Sequence, residues 1–260
     1  MTRELKIKKG DQNIVPCTAV IPDDLKGVVL VVHGFASSKE CHTYQLLKEI
    51  LPQAGLGMLG LELPGHGKEE AALELLSIHG AIDSIETVEN YIRDTYPDQP
   101  IYYFASSFGA YLTALYMSSR KHRGRKAFFR SAAVNMPKLI VKENPTREEK
   151  KQIEELEAKG FFDTVIEDVN MQSIRITKDL YQEFQKTDLF ELFDGNLLKD
   201  HEILMAHGAK DLVIDPEAAK RFAGKFHIPI RFFEGEGHSL GEKPGTDIKV
   251  MCMARDFFLQ

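Results

Sequence analysis

Three apolar runs, each cut off by a loop of small residues, constrain this chain more than any other feature. Gly27-Val28-Val29-Leu30-Val31-Val32 is continuous and largely β-branched, and His33-Gly34-Phe35 follows at once. Gly57-Met58-Leu59-Gly60-Leu61-Glu62 leads into Leu63-Pro64-Gly65-His66-Gly67, and Ile101 to Phe104 leads into Ala105-Ser106-Ser107-Phe108-Gly109-Ala110. Strands apolar on both faces belong in a parallel sheet covered on both sides. The segments between them carry helical periodicity: Tyr44 to Leu51, and Ile78 to Tyr96 with Ile82, Ile85, Val88, Tyr91 and Ile92 on one stripe. This alternation predicts an α/β fold with a mostly parallel sheet and helices on both faces. Ahead of it, Leu5 and Ile7 alternate with charges, Gly10-Asp11 makes a turn, and Asn13 to Ile21 reads as the second arm of a hairpin.

The same rhythm continues with a helix from Tyr111 to Ser119 and a strand from Ala127 to Val134, separated by the basic run Arg120-Lys121-His122-Arg123-Gly124-Arg125-Lys126. Cations at a helix C-terminus complement its dipole, so a solvated cap is the expected role of that run, ahead of an anion-binding patch. From Pro137 to Asp200 the buried-strand rhythm is lost and charge is dense, as in Glu148-Glu149-Lys150-Lys151. The segment reads as an insertion, with a helix near Arg147 to Ala158, short strands within Thr164 to Ile176, and a helix near Lys178 to Gln185. Residues 1–136 and 201–260 are therefore expected to form the core, and residues 137–200 an inserted cap. The core resumes with a strand from Glu202 to Ala206, a helix from Pro216 to Phe226, a strand from Ile228 to Phe233 and a helix from Ile248 to Phe258.

A chain of 260 residues fits one large domain with an insertion. Its net charge of -6 argues against nucleic acid as a partner, and no apolar run is long enough for a membrane span. Met1 to Gly10 is charged and alternating rather than a signal core, and three scattered cysteines, Cys17, Cys41 and Cys252, suit a reducing compartment. A cytoplasmic protein is expected. The sequence does not fix the oligomeric state, and a homodimer is compatible with it.

The chemistry centres on Ser107. A sharp strand-to-helix turn needs small residues two places before and two after the serine, and Ala105 and Gly109 fill them. Ser106 lacks such flanks, because Phe104 and Phe108 stand there. The first amides of the following helix point toward the place where an oxyanion forms, which makes Phe108 N–H a donor. A serine-rich helix cap is the plainer alternative. A serine hydroxyl needs a base, and the base needs an orienting carboxylate. The loop after Ala206 supplies Asp211 within His207-Gly208-Ala209-Lys210-Asp211, and the loop after Phe233 supplies His238 within Glu234-Gly235-Glu236-Gly237-His238. Asp215, the reserve acid, precedes Pro216 and fits a helix cap better. His33, His66 and His207 fit loop-bracing roles, and adjacency of Cys41 and His42 does not make a thiol nucleophile.

The order Ser107, Asp211, His238 resembles that of α/β-hydrolases of the serine esterase type. The resemblance covers nearly the whole chain and implies an eight-stranded sheet with a cap between the sixth and seventh core strands. It also implies a second oxyanion donor, Phe35 N–H, from the loop His33-Gly34-Phe35. Glu62-Leu63-Pro64-Gly65-His66-Gly67 is similar to the family's Asp-x-x-Gly-x-Gly loop, with glutamate in place of aspartate. The cap's place and length resemble those of bacterial cinnamoyl and feruloyl esterases, and more loosely of monoglyceride lipases and proline iminopeptidases. A serine at the elbow and the absence of tryptophan set the chain apart from the family's dehalogenases, epoxide hydrolases and haloperoxidases.

The resulting expectation is a serine hydrolase that cleaves small-molecule carboxylic esters of small to medium acyl or aryl groups through an acyl-enzyme. A thioesterase or serine aminopeptidase is the alternative within the fold, and a non-catalytic binding module the alternative outside it. No metal or organic cofactor is implied, since an activated serine and two amides suffice. Cap aromatic residues Phe161, Phe162, Tyr181, Phe184, Phe190 and Phe193 are expected to form mainly the cap's own small core, with the lining of an apolar acyl or aryl pocket as the alternative.

Overall fold

A computed structural model of the chain describes residues 2–10, 13–68, 71, 74–141, 144–165 and 173–260. The expected opening hairpin is present as β1 (Thr2–Lys9) and β2 (Asn13–Val20), paired antiparallel from Thr2 opposite Val20 to Lys9 opposite Asn13. Asp11 of the predicted turn lies outside the described residues. The apolar runs form β3 (Gly27–Val32), β4 (Leu56–Leu61) and β5 (Ile101–Ser106). With β6 (Gly124–Arg130), β9 (Glu202–Gly208) and β10 (Ile230–Phe233) they complete the main sheet. Among the described residues that sheet has eight strands in the order β1-β2-β4-β3-β5-β6-β9-β10, parallel from β4 to β10. This is the α/β-hydrolase fold.

Strand alternation builds two cores from the same strands. Val28, Leu30 and Val32 of β3 face one layer, together with Tyr103, Ala105 and Phe129. That layer is covered by α2 (Ile78–Thr95), α3 (Phe108–Ser119) and α8 (Pro216–Phe226). Val29, Val31, Phe104 and Phe128 face the other, under α1 (His42–Ile50) and α9 (Thr246–Leu259). Two-sided burial is why these strands read as unbroken apolar runs rather than as alternating ones.

The basic run divides between two elements. Arg120 caps α3 through its N–H to Tyr116 O and lies 3.5 Å from Asp83 and 3.6 Å from Glu86 of α2, so the expected helix-end role holds for it. Gly124, Arg125 and Lys126 instead open β6. Burial of Glu89 explains the earlier start of the strand: its carboxylate accepts from Tyr103 Oη, from Tyr116 Oη at 2.8 Å and from Arg123 N–H at 2.7 Å, and so fixes the entry to β6.

Between β6 and β9 the chain leaves the sheet and forms α4 (Met136–Ile140), α5 (Arg147–Lys159), β7 (Phe161–Val165), β8 (Ser173–Thr177), α6 (Lys178–Lys186) and α7 (Leu189–Leu192). The predicted short strands are β7 and β8, an antiparallel pair; positions 166–172 of that stretch lie outside the described residues. Thr146 and Glu149 form a reciprocal capping box that starts α5. The aromatic residues here do not make a private core. Phe184 is fully buried against Phe108 and Tyr111 of α3, and Phe190 and Phe193 pack on Phe222 of α8. The helical spacing marks their apolar face but not its partner, which lies far away in sequence. Glu183 of α6 adds a polar anchor by accepting from Ile78 N–H at 2.6 Å at the start of α2.

Candidate active site

The turn after β5 bends through Ser107, whose φ of 53° and ψ of -118° lie in a region that L-residues rarely occupy. Surrounding contacts over-determine that conformation. Ser107 N–H donates to Arg130 O at 2.9 Å, and Ser107 O accepts from Ala110, Tyr111 and Ala133. A Cβ on Gly109 would overlap the carbonyl oxygens of Val32 and His33, so glycine lets α3 cross the end of β3. The strain aims Ser107 Oγ out of the sheet edge, half-buried, 3.0 Å from His238 Nε2.

His238 comes from the loop after β10 and Asp211 from the loop after β9. His238 Nδ1 lies 2.8 Å from Asp211 Oδ2, which makes Nδ1–H the donor and leaves Nε2 free to accept from Ser107. The structure thus brings together the three residues singled out in the sequence. Asp211 is buried, and its Oδ1 accepts from Val213 and Ile214 N–H, both at 2.9 Å. Burial alone would push this carboxyl up. Hydrogen bonds from His207 and His238, the electrostatic attraction of His238 and the Ile214 amide overcome it and hold the group well below the usual carboxylate range.

The sequence places His207 as a loop brace, and its Nε2 does lie 3.2 Å from Ile214 O, but it also lies 3.2 Å from Asp211 Oδ2. Two acceptors at one nitrogen put the proton there. Ser131 and Arg130 carry no sequence signal, yet Ser131 Oγ donates to His238 O at 2.8 Å and Arg130 reaches Ser106 Oγ at 2.6 Å and Ser239 O. Asp215 caps α8, accepting from Glu217 N–H at 3.0 Å, as its position before Pro216 implies. His42 pairs with Asp247 at 2.8 Å.

Phe35, from the loop after β3, and Phe108, at the start of α3, flank the serine, their rings in edge contact with centroids 5.6 Å apart. Neither backbone N–H has an acceptor among the described residues. The Phe35 loop is held from behind. His33 Nδ1 donates to Gly34 O at 2.8 Å, His33 Nε2 lies 2.9 Å from Glu62 Oε1, and His66 Nε2 accepts from Ala36 N–H at 3.1 Å. Burial, helped by His33, pushes the His66 imidazole down to about 3, so it stays a neutral acceptor.

A model of the family described as "Serine aminopeptidase, S33" matches residues 23–241, a span that runs from before β3 to beyond His238. The chain belongs to this family. It is a hydrolase of the α/β fold. Solved structures share the architecture at low identity. Est1E from Butyrivibrio proteoclasticus, with ferulic acid bound, is 15% identical at a TM-score of 0.77, with 98% of each chain covered. Mouse alpha/beta hydrolase domain-containing protein 10 is 13% identical at 0.73, again over 98% of each chain. Paleococcus ferrophilus monoacylglycerol lipase is 17% identical at 0.71, covering 94% of this chain and 98% of its own. A search of curated protein sequences gave no match.

In this hydrolase Ser107 and His238 open into a cavity of about 1220 Å³. Met136, Leu139, Ile140, Phe162, Ile176 and Tyr181 contribute apolar walls from the segment after β6. Among the described residues no grouping of three or more His, Cys, Asp or Glu could hold a metal ion, and no helix is long and apolar enough to cross a membrane.

Proposed function

We propose that this protein is a carboxylic ester hydrolase acting through an acyl-enzyme, with Ser107 as nucleophile, His238 as general base and acid, and Asp211 as the group that orients His238. The observation that carries the reading is the unbroken chain Ser107 Oγ, His238 Nε2, His238 Nδ1 and Asp211 Oδ2, with spacings of 3.0 and 2.8 Å. In the first step Ser107 Oγ bonds to the acyl carbon while its proton passes to His238 Nε2. The carbonyl electrons move onto an oxyanion held by Phe35 and Phe108 N–H. Collapse of this intermediate breaks the bond to the alkoxy oxygen, which leaves as the alcohol with the proton from His238. Water, deprotonated by the same nitrogen, then attacks the acyl carbon, releasing the carboxylic acid and restoring Ser107.

Residues 137–200 act in this scheme as a cap whose apolar walls take the acyl or aryl group. Peptide cleavage, which the family's description suggests, is the second reading. It asks for a carboxylate to hold a free amino group, and Glu149 does line the cavity. Its Oε2, however, accepts from Thr146 N–H at 2.7 Å in the capping box of α5. The ester reading is therefore preferred.

The test is hydrolysis of nitrophenyl esters from acetyl to decanoyl, and of methyl ferulate, by the wild type, Ser107→Ala and Asp211→Asn. The expected result is turnover that Ser107→Ala abolishes. Asp211→Asn is expected to lower kcat by about 10³-fold or more with KM little changed, because the imidazole loses its orienting acceptor. A fluorophosphonate should label the wild type at Ser107. Equal turnover by the wild type and Ser107→Ala would overturn the assignment; turnover of an aminoacyl amide in preference to every ester would favour the peptidase.

A further inference from the structure

Arg130, the last residue of β6, touches both halves of the site. Its carbonyl accepts from Ser107 N–H at 2.9 Å, its Nη1 donates to Ser106 Oγ at 2.6 Å, and its Nη2 donates to Ser239 O. The guanidinium is thus clamped between the neighbours of Ser107 and His238, and Arg130 is among the residues that line the same cavity. Both of its partners are neutral oxygens. Among the described residues it has no ion-pair partner.

Three carboxylates lie close enough to act on its charge, Asp211, Glu242 and Asp247. Each is committed elsewhere: Asp211 to His238 and His207, Asp247 to His42, and Glu242 to Ser239 Oγ at 3.1 Å and Gly241 N–H at 3.2 Å. A half-buried cation without a counter-ion is costly, and burial lowers its affinity for the proton. A fold that places one beside a nucleophile gains from it when a ligand supplies the missing charge. Arginine suits a carboxylate in particular, since its planar fork presents five N–H donors and only two are used here. Because those two bonds already fix the group, little ordering cost remains on binding.

We propose that Arg130 recognises a carboxylate on the substrate, so that the preferred esters are anionic ones carrying a free carboxyl group. This rests on the ester-hydrolase reading of the same cavity. Lys210 also lines the cavity but is exposed, where solvent screens its charge. It serves as the control cation.

The experiment compares kcat/KM for 4-nitrophenyl hexanoate and for the mono-4-nitrophenyl ester of adipic acid, which replaces the terminal methyl group with a carboxylate. The wild type is expected to favour the adipate ester by about tenfold, the scale of one charge-assisted hydrogen bond. Arg130→Gln should remove most of that adipate-to-hexanoate ratio, Arg130→Lys should keep part of it, and Lys210→Gln should leave it in place. Raising the salt concentration should erode the wild-type preference through the KM of the adipate ester, a check that requires no variant to fold. A wild type that disfavours adipate, a ratio unmoved by Arg130→Gln, or a ratio that follows Lys210 would overturn the proposal. The two readings fail separately: hexanoate turnover that survives Ser107→Ala sinks the hydrolase reading, whereas Ser107-dependent turnover whose ratio ignores Arg130 sinks this one.

Discussion

His66 shows how a residue away from the reacting atoms sets conditions for the whole site. It must stay neutral to accept from Ala36 N–H behind Phe35, and burial brings its pKa to about 3 against about 6.5 for a free imidazole. Between those values the unfolded chain binds a proton that the folded chain excludes, so stability falls as pH drops through that window. Asp211 acts in the same direction at lower pH. Its folded pKa is depressed, so its contribution is present above the ordinary carboxylate range and is lost as pH falls through the folded value. The Tm is therefore expected to fall steadily from about pH 6.5 to about pH 3. His66→Gln, which keeps an acceptor and cannot titrate, should flatten that slope; calorimetric scans of both proteins across the window check it. An unchanged slope in the variant would show that other groups set the acid response. At this scale Ser107, Asp211 and His238 were legible because each follows an apolar strand in a recognisable order. Arg130, Ser131 and the second partner of His207 were not, since their contacts join loops that no local pattern connects.

Elements place these residues, and their crossing points tolerate little. At the elbow, α3 meets the end of β3 at Gly109, where backbone carbonyls occupy the space a side chain would need. Carbonyl groups inside a sheet cannot swing aside as a flexible side chain can. Gly109→Ala is expected to cost about 2 kcal/mol or more of stability by overpacking and, on the proposed mechanism, to lower kcat by displacing the oxyanion donor assigned to Phe108 N–H. Urea midpoints and steady-state kinetics test the two parts. Ala105, by contrast, accommodates its methyl group while fully buried, so the departure from glycine at that position of the motif does not disturb the turn. Strand and helix identities were legible from periodicity. Boundaries shifted where tertiary contacts decide them: β6 begins at Gly124 rather than Ala127 because buried Glu89 holds the Arg123 amide.

At the scale of the molecule, the segment between β6 and β9 is tied into the main core. Phe184 closes against Phe108 and Tyr111, Tyr111 Oη donates to Thr187 Oγ1, and Glu183 joins α6 to α2. The expectation of a private cap core fails here for a physical reason: amphipathic helices declare an apolar face but not which surface will cover it. One shared core implies one unfolding transition. Far-UV circular dichroism and tyrosine fluorescence, the latter undisturbed because the chain has no tryptophan, should give coincident urea curves. Phe184→Ala should shift both together by about 3–5 kcal/mol, and an early transition in one probe alone would reveal an independently folding cap.

The contact between Ser107 and His238 joins positions 131 residues apart. During synthesis the elbow emerges well before the imidazole, so a nascent chain carries the serine turn without the base that the proposed mechanism assigns to it. β9 and β10, which deliver Asp211 and His238, follow the other six strands of the main sheet in sequence. On the ester-hydrolase reading proposed above, a chain released early would therefore be inert toward esters rather than indiscriminate. On the same reading, hydrolysis measured during translation would serve as a clock for the arrival of β10 and His238.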